Sequence, residues 1–572
     1  MEKKVYGAHP RPQYDAIVVG SGIAGGWAAK ELAERGLKTL LLERGRHVEH
    51  GRDYILEALK QWRPSLRKKD RQARFEEDYY IQQHCDAFDA TTRHFFINDR
   101  QNPYSFDPDK PFWWIRGNHL GGRSLTWARQ SYRFGDVDFE ANAFDGHGVD
   151  WPIRYEDLAP WYDHVEAFIG VSGQAEGLAQ VPDGVFLPPM AMNRVEEAFK
   201  AYVEAAFPDR TVTIGRVATL TRRHQGRASC RYSGRCARGC IGGAYFSSLS
   251  ATLPAAAATG NLTVRVHSNV ESVLYDEAQD KALGVRVIDS ETLDPLEFYG
   301  RVIFLCASTL GTTHILLNST TRRFPTGLGN SSGTLGHYLM DHHFQVGARG
   351  TMPDFEDVFH QVGRPNGIHI PRFRNLDART RHPDFVRGYW FQGMAQRPGS
   401  KRHALVQRMA QVKRTLRGTQ AGSWYMWLGG WGECLPRYEN YVDLDPEAVD
   451  AWGIPLLRVH CTFGENERLM RLDMQQTAAE MLEAAGVKAV RTYDTKAPPG
   501  LCVHEMGTAR MGRDPRTSVL NAFNQMHDVP NVFVTDGACM TSSGANSPSL
   551  TYMAITARAC AFAVDAMKRG TL

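Results

Sequence analysis

The sequence predicts an α/β protein, α+β overall, in which a discontinuous Rossmann-like domain is joined to a second domain built on a mostly antiparallel β-sheet. Residues 15–44 read as a buried strand, a glycine turn, a helix and a second buried strand. Short runs of Val, Ile and Leu between residues 262 and 306 read as strands that return to this unit after a long insertion. Aromatic runs alternate with turns in 353–459 and predict the antiparallel sheet. With 572 residues, the chain exceeds the roughly 250–300 residues that one core usually reaches.

The unit at 15–44 has the pattern of a dinucleotide-binding turn. Gly20 allows the tight turn, Gly22 lets the backbone approach a pyrophosphate, and Gly25 lets the helix pack closely on the strand. Glu43 ends the second strand, where a carboxylate accepts hydrogen bonds from a ribose. The unit predicts a bound dinucleotide, but it leaves open whether this is NAD, which comes and goes, or FAD, which stays bound.

Charge and hydropathy argue against several classes of partner. A formal net charge of +4 is nearly balanced for a chain of this length, which argues against nucleic acid as the main partner. Residues 1–10 lack the apolar segment of a secretory signal, which predicts folding in the cytoplasm. The most apolar late stretch, 549–567, contains an Arg and an Asp, so no transmembrane segment is expected. Two basic stretches, 61–74 and 401–417, are most simply solvated surface.

Three later stretches combine glycine turns with groups that suit a bound ring system. The first reads Trp-Trp-Ile-Arg-Gly-Asn-His-Leu-Gly-Gly-Arg-Ser over 113–124. The second places His504 on a glycine-bounded turn. The third runs from a strand that ends in Asp-Gly at 536–537 to a helix opened by Pro548. Groups from such distant parts of the chain must converge if they surround one cofactor.

Together with the N-terminal unit, these motifs resemble the glucose-methanol-choline oxidoreductase family over both ends of the chain and most of the cofactor domain. The resemblance implies an FAD-dependent oxidoreductase acting on CH–OH donors, with His504 as the catalytic base and Asn546 as the second catalytic residue. The chain has one residue more than the family's usual Asn-Pro, so either Asn546 or Ser547 takes that position; Asn546 is favoured because its amide both donates and accepts. Thr126 stands where some relatives have a histidine bonded to the flavin, which implies noncovalent FAD.

The resemblance also fixes the expected chemistry and the expected cofactor contacts. An alcohol carbon gives up hydride readily only as its hydroxyl proton leaves, so neutral His504 would take that proton. The N-terminus of the helix near Pro548 would stabilise negative charge on the reduced flavin. The residues expected to contact FAD are Gly20, Ser21, Gly22, Ala24, Gly25, Glu43, Arg44, Arg116, Gly122, Ser124, Val270, Ala307, Asp536, Gly537 and Thr551.

Three of the ten cysteines lie close together in the sequence, at Cys230, Cys236 and Cys240. They could be ordinary buried thiols, a zinc site with His224 as fourth ligand, or ligands of an iron–sulfur cluster whose charge is offset by neighbouring arginines. Their spacing resembles that of the iron–sulfur flavoprotein subunits of bacterial sugar dehydrogenases, which favours a cluster, of the 3Fe-4S type. That resemblance implies a cytochrome as electron acceptor and a small partner subunit whose export signal carries the folded protein to the periplasm.

The favoured function is therefore an FAD-dependent dehydrogenase that oxidises a secondary alcohol of a sugar or glycoside, with C3 oxidation to a 3-keto sugar as its most specific form. The alternative within the family is an oxygen-using sugar oxidase or a dehydrogenase of gluconate, sorbitol or another polyol. A noncatalytic electron-transfer subunit and a flavin-containing lyase are alternatives from other classes. The expected FAD-binding domain comprises 1–50, 85–160, 215–350 and 500–572, and the expected substrate domain comprises 51–84, 161–214 and 351–499.

Overall fold

The computed structural model of the chain describes residues 12–54, 76–234, 236–355, 358, 363–397 and 423–572. The two basic stretches, 61–74 and 401–417, lie outside the described residues. The strands are β1 (Tyr14–Val19), β2 (Thr39–Leu42), β3 (Ser105–Phe106), β4 (Val171–Ser172), β5 (Phe186–Leu187), β6 (Thr213–Ile214), β7 (Leu262–Arg265), β8 (Ser268–Asp276), β9 (Lys281–Asp289), β10 (Pro295–Leu305), β11 (His343–Met352), β12 (Ile368–Ile370), β13 (Tyr389–Gln396), β14 (Trp424–Gly432), β15 (Tyr441–Val449), β16 (Pro455–His460), β17 (Lys488–Asp494) and β18 (Val532–Val534). The α-helices are α1 (Ile23–Glu34), α2 (Asp136–Phe139), α3 (Ala141–Asp145), α4 (Tyr155–Ile169), α5 (Arg194–Ala206), α6 (Leu253–Ala258), α7 (Thr309–Asn318), α8 (Glu465–Ala484) and α9 (Ser549–Lys568).

A mixed sheet, seven-stranded within the described residues, carries the glycine turn. β1 pairs in parallel with β2 and β10, and β10 pairs in parallel with β18. The other end of β10 forms an antiparallel meander with β9 and β8. Because these strands come from well-separated parts of the chain, the predicted discontinuous Rossmann-like fold is confirmed. The domain boundaries given above stay predictions.

The central strands of this sheet are apolar throughout because both of their faces are covered. The side chains of Ala16–Val19 and of Val302–Leu305 are buried. α1 packs against α9 and buries Trp27 and Leu32 in the same core. By length and composition α9 could cross a membrane, but 72% of its most apolar window is buried inside the protein. Burial in the core thus accounts for the apolar character of this helix.

A second sheet has the order β17-β11-β14-β13-β12-β6, and each neighbouring pair is antiparallel. Its two central strands are the aromatic runs at 389–392 and 424–427 that the sequence predicts as strands. α8 packs along β11, β14 and β17 and covers one face. The antiparallel sheet of the second domain is therefore confirmed, and its uncovered face is available to form a wall of the site.

The core beneath α8 provides a matched test of side-chain burial. The side chain of Met474 is fully buried in a cluster with Phe391 and Met426, whereas Leu472, on the same helix, is 47% exposed. We expect Met474→Ala to lower the free energy of unfolding by about 2–5 kcal/mol because it leaves a cavity. Leu472→Ala should change it by less than about 0.5 kcal/mol. Thermal unfolding of both variants tests this, and equal melting temperatures would show that α8 does not seal this core.

Candidate active site

The glycine turn between β1 and α1 has the geometry that its sequence predicts. Gly20 adopts φ +94°, and a Cβ on Gly25 would lie 1.8 Å from the carbonyl oxygen of Gly20. A Cβ on Gly22 would meet no atom within 4 Å, and Gly22 lines a large cavity. The turn therefore needs glycine at positions 20 and 25 for close packing. At position 22 it needs glycine so that a ligand in the cavity can approach the backbone.

Glu43 ends β2 and is buried beside the turn. Its carboxylate accepts hydrogen bonds from the backbone nitrogens of Ser21, at 3.2 Å, and Gly45, at 2.8 Å, and from the Ser21 hydroxyl. Burial raises the pKa of this carboxyl above its ordinary value. Glu43 also borders the cavity, so it stands where the sequence predicts a ribose contact.

The cavity has a volume of about 590 Å³ and runs from Glu43 to His504. Residues from both ends of the chain converge on it, as the sequence predicts. The expected cofactor contacts that line it are Gly20, Ser21, Gly22, Ala24, Glu43, Arg44, Arg116, Gly122, Ser124, Val270, Ala307, Asp536 and Gly537. Two expected contacts lie behind its wall: Gly25 packs beneath the turn, and the Thr551 hydroxyl hydrogen-bonds to the Tyr162 hydroxyl at 2.8 Å.

Two buried arginines show that the cavity suits a group with phosphates. The Nε atoms of Arg44 and Arg116 are buried and have no hydrogen-bond partner among the residues that the structure describes, and both residues line the cavity. Burial lowers the pKa of Arg44 to about 10, which is still far above neutrality, so its side chain stays charged. Two guanidinium groups and the N-terminus of α1 match the charge of a dinucleotide pyrophosphate. These residues therefore fit FAD.

A carboxylate that the sequence analysis missed holds the turn that carries His504. Asp341, just before β11, accepts hydrogen bonds from the backbone nitrogens of Gly500, Cys502 and His504 at 2.8, 3.2 and 3.0 Å. Burial and the nearby charge of Glu505 raise the pKa of Asp341 to about 8. Because Asp341 lies more than 150 residues before the turn in the sequence, no local motif could have identified it.

The ring of His504 is held by a second histidine that the sequence analysis also missed. Its Nδ1 lies 2.9 Å from Nδ1 of His342, and Nε2 of His342 lies 2.7 Å from the carbonyl oxygen of Gly544. The Cys502 sulfur is 3.6 Å from the same His504 nitrogen. Burial, reinforced by the nearby charge of Arg123, lowers the pKa of His504 well below its ordinary value. His504 is therefore neutral at physiological pH, which is the protonation state that its predicted role requires.

Asn546 and Ser547 differ in their relation to the cavity. Ser547 lines it, whereas the Asn546 side chain is buried behind the wall. There the Asn546 Nδ2 atom lies 3.5 Å from the Gln180 carbonyl oxygen, and its Oδ1 has no hydrogen-bond partner. The assignment of Asn546 as the second catalytic residue stays a prediction, and the structure gives Ser547 the more direct access.

The Asp-Gly segment at 536–537 joins a buried network beside the cavity. The Asp536 carboxylate accepts hydrogen bonds from the Thr312 hydroxyl at 2.5 Å and the Ala538 backbone nitrogen at 3.0 Å. Arg123 and Glu505 form a bidentate ion pair at 3.0 and 2.8 Å and also line the cavity. This pair, unforeseen in the sequence, places a fixed charge arrangement next to His504.

The wall beyond His504 consists of amides and aromatic rings. Gln345 and Gln392 reach the cavity from β11 and β13, Trp431 reaches it from β14, and Gln130 completes the wall. Gln345 and Gln130 accept hydrogen bonds from Thr495 and Tyr132 through their oxygens, and their amide nitrogens make no hydrogen bond to another described residue. This wall can hydrogen-bond hydroxyl groups and pack against an apolar ring face.

The cysteine loop borders the same cavity without forming a metal site. Cys230, Cys236 and Cys240 are free, partly buried thiols, and Ala237 lines the cavity. Within the parts of the chain that the structure describes, no group of three or more His, Cys, Asp or Glu side chains is arranged to hold a metal ion. His224, considered as a zinc ligand, instead contacts the Ala167 carbonyl oxygen at 2.7 Å. The loop therefore does not fit a metal cluster in this arrangement.

Comparisons with known proteins agree with this architecture. Two family models of the GMC oxidoreductases match residues 14–344 and 436–556. The 2-methyl-1,2-propanediol dehydrogenase of Mycolicibacterium austroafricanum is 30% identical over 96% of this chain and 94% of its own. The fructose dehydrogenase large subunit of Gluconobacter japonicus is 25% identical over 97% and 98%. The crystal structure of pyridoxine 4-oxidase from Mesorbium loti, at 16% identity and a TM-score of 0.57, covers 96% of this chain and 98% of its own, and shares the fold.

The glycine turn predicts that two similar substitutions have different effects. In Gly25→Ala the new Cβ would collide with the Gly20 carbonyl oxygen, so we expect a lower melting temperature of the apoprotein as well as loss of FAD. In Gly22→Ala the new methyl group enters open cavity space, so we expect weaker FAD binding with unchanged apoprotein stability. Thermal unfolding and FAD titration of both apoproteins test this. An apoprotein of Gly25→Ala as stable as that of Gly22→Ala would contradict the packing role of Gly25.

Proposed function

Since the chain belongs to the GMC oxidoreductase family, whose members are FAD-dependent oxidoreductases acting on CH–OH donors, we propose that it is a dehydrogenase of sugars or glycosides. The most specific form of the proposal is oxidation of the secondary alcohol at C3 to a 3-keto sugar. The choice of C3 rests on the resemblance of the cysteine spacing alone. The choice of a polyhydroxylated substrate rests on the cavity wall.

The observation that carries the proposal is the wall of Gln130, Gln345, Gln392 and Trp431 beside His504. Side-chain amides donate and accept hydrogen bonds without adding net charge, so they suit several neutral hydroxyl groups. The indole of Trp431 offers an apolar face of the kind on which a sugar ring packs. A purely aliphatic substrate would offer no acceptor to the amide nitrogens of Gln130 and Gln345, and covering these donors without a hydrogen bond is costly.

The residues of the site divide the work of alcohol oxidation. FAD, when bound, supplies the acceptor for the hydride that leaves the alcohol carbon. His504 accepts the hydroxyl proton, and its neutral state lets it do so without first losing a proton. Asp341 fixes the backbone of His504, and the amide wall orients the other hydroxyls. The N-terminus of α9 opens toward the cavity at Ser549 and favours negative charge there.

The names of the relatives support the class of substrate and leave a second candidate. Fructose dehydrogenase is a sugar enzyme by its name, whereas the relative with 30% identity is named for a small branched diol. A diol carries two hydroxyls for the same amides, so a small-diol dehydrogenase is the second candidate. An oxygen-using oxidase or a polyol dehydrogenase remains the alternative among sugar-active enzymes.

The route of the electrons after the reaction is part of the same proposal. The cysteine spacing supports an iron–sulfur cluster of the 3Fe-4S type at Cys230, Cys236 and Cys240, and Ala237 brings this loop to the cavity. A relative described as a large subunit supports a partner subunit. We extend the proposal to a small export-signal-bearing subunit, a cytochrome acceptor and a periplasmic location. Within the described residues the three thiols are not arranged as a metal site.

Anaerobic mixing with candidate substrates tests the proposed reaction. We expect glucosides to bleach the visible flavin absorbance, and His504→Asn to slow this reduction by about 10²- to 10⁴-fold with FAD retained. His527→Asn is the matched control, since His527 contacts Ser518 and does not line the cavity. Bleaching by 2-methyl-1,2-propanediol but by no sugar would favour the second candidate. An unchanged rate in His504→Asn would exclude His504 as the base.

The pH dependence of the same reduction follows from the environment of His504. A base works only when unprotonated, and the pKa of His504 lies well below its ordinary value. The rate constant of flavin reduction should therefore be level above about pH 6.5 and fall only in more acidic solution. Stopped-flow reduction across pH 5–9 measures this profile. A fall in rate that begins above pH 7 would contradict a neutral, buried base.

Metal analysis tests the cysteine loop separately from the reaction at the flavin. If the loop binds an iron–sulfur cluster, the purified protein contains iron and acid-labile sulfide, and Cys236→Ser loses both while keeping FAD. Cys85→Ser is a matched control, because Cys85 is a free, partly buried thiol outside the loop. Zinc in place of iron, or no metal in protein purified without oxygen, would refute the cluster and leave the flavin site unaffected.

A further inference from the structure

His504 is hydrogen-bonded, on the side of its Nδ1 atom, to a histidine with no role in the function proposed above. The two Nδ1 atoms, of His504 and His342, lie 2.9 Å apart. The Nε2 atom of His342 lies 2.7 Å from the carbonyl oxygen of Gly544. The side chain of His342 is fully enclosed, and its ring meets the Trp390 ring edge to face at a centroid distance of 4.8 Å. One buried imidazole therefore bridges His504 and the loop before α9.

The order of donors and acceptors in this bridge follows from its fixed end. A carbonyl oxygen can only accept, so Nε2 of His342 carries a proton. Burial lowers the pKa of His342 to about 4, so the ring is neutral and its Nδ1 is bare. The short contact between the two Nδ1 atoms then requires His504 to donate its Nδ1–H. Neutral His504 has only one ring proton, which leaves its Nε2 bare.

We propose that His342, anchored by the Gly544 carbonyl, is a positioning residue that keeps His504 in the tautomer whose bare Nε2 faces the substrate. His504 lines the cavity, and its Nε2 makes no hydrogen bond within the described part of the chain. The substrate proton would pass from the alcohol oxygen to this Nε2, while Nδ1–H stays on His504 and continues to donate to His342. The proposal rests on the function of His504 proposed above and adds the reason for its correct protonation.

The other groups around His504 do not supply this function. The Cys502 thiol lies 3.6 Å from Nδ1 and is a weaker partner than the His342 nitrogen. Arg123 is held by Glu505 in a bidentate pair. Asp341 accepts from the backbone nitrogen of His504 rather than from the ring. The tautomer of His504 therefore depends on His342.

Nitrogen NMR of the histidine rings tests the tautomer without any turnover. In substrate-free, FAD-loaded protein labelled with ¹⁵N, the His504 ring, assigned by its loss in His504→Asn, should show a protonated Nδ1 and a bare Nε2. His342→Phe keeps the ring volume but removes both hydrogen bonds, so the Nε2–H form of His504 should become populated. His342→Gln, whose amide can both accept and donate, should restore the original form. A protonated Nε2 in the wild-type protein, or a spectrum unchanged in His342→Phe, would overturn the proposal.

Flavin reduction by substrate gives an independent kinetic measurement. His342→Phe should slow reduction by about 10- to 100-fold, the lower part of the range for general-base catalysis, with little change in substrate KM. His342→Gln should recover most of the rate, and His527→Asn, at a residue away from the cavity, should leave the rate unchanged. FAD content and melting temperature identify any variant that fails to fold. If His342→Phe fails to fold, the NMR spectrum of His342→Gln tests the tautomer of His504 in its place. A normal rate in His504→Asn would refute the proposed base, whereas a normal rate in folded His342→Phe would refute only the positioning role.

Discussion

The capture of three backbone N–H groups by the Asp341 carboxylate is the interaction on which the site depends. It ties the turn at 500–504 to the first residues of the antiparallel sheet. The same turn leads into Glu505, whose backbone carbonyl accepts a hydrogen bond from Thr309 in α7. One short segment is thus fastened to the antiparallel sheet and to α7, and this fixes His504 relative to the cavity on one side and the amide wall on the other.

A buried carboxylate in this position is costly, since burial favours its neutral form and raises its pKa. Three N–H donors compensate for the lost solvation of the oxygens. Without this acceptor, three backbone N–H groups of a buried turn would lack hydrogen-bond partners, which is itself costly. His342, the next residue after Asp341, contacts the same histidine. Asp341 holds the backbone of His504, and His342 holds its ring. Two successive side chains before β11 therefore determine both the place and the orientation of the His504 ring.

The sequence was sufficient to predict those features that depend on residues close together in the chain. The turn at Gly20–Gly25 and the acid at Glu43 follow rules that act over thirty residues, and the alternating aromatic runs predict β13 and β14 correctly. Asp341, His342 and the Arg123–Glu505 pair could not be found this way, because their partners are brought to them only by the pairing of distant strands. The extra residue at Ser547 shows what a motif cannot predict. The sequence shows that this loop is one residue longer than the family's Asn-Pro motif, but not which side chain reaches the cavity.

The choice of a neutral histidine behind His504 has a consequence for the chemistry. A carboxylate at that place would stabilise the protonated ring and raise its pKa, as the aspartate does in a serine protease triad. A base of higher pKa would bind its proton more strongly but would spend more of its time already protonated. A neutral imidazole accepts the same hydrogen bond without the charge, and so it orients the ring while leaving the pKa low. In the proposed reaction, His504 is therefore a weaker base that is more often free to accept a proton, which suits a step in which the departing hydride makes the alcohol proton easier to remove.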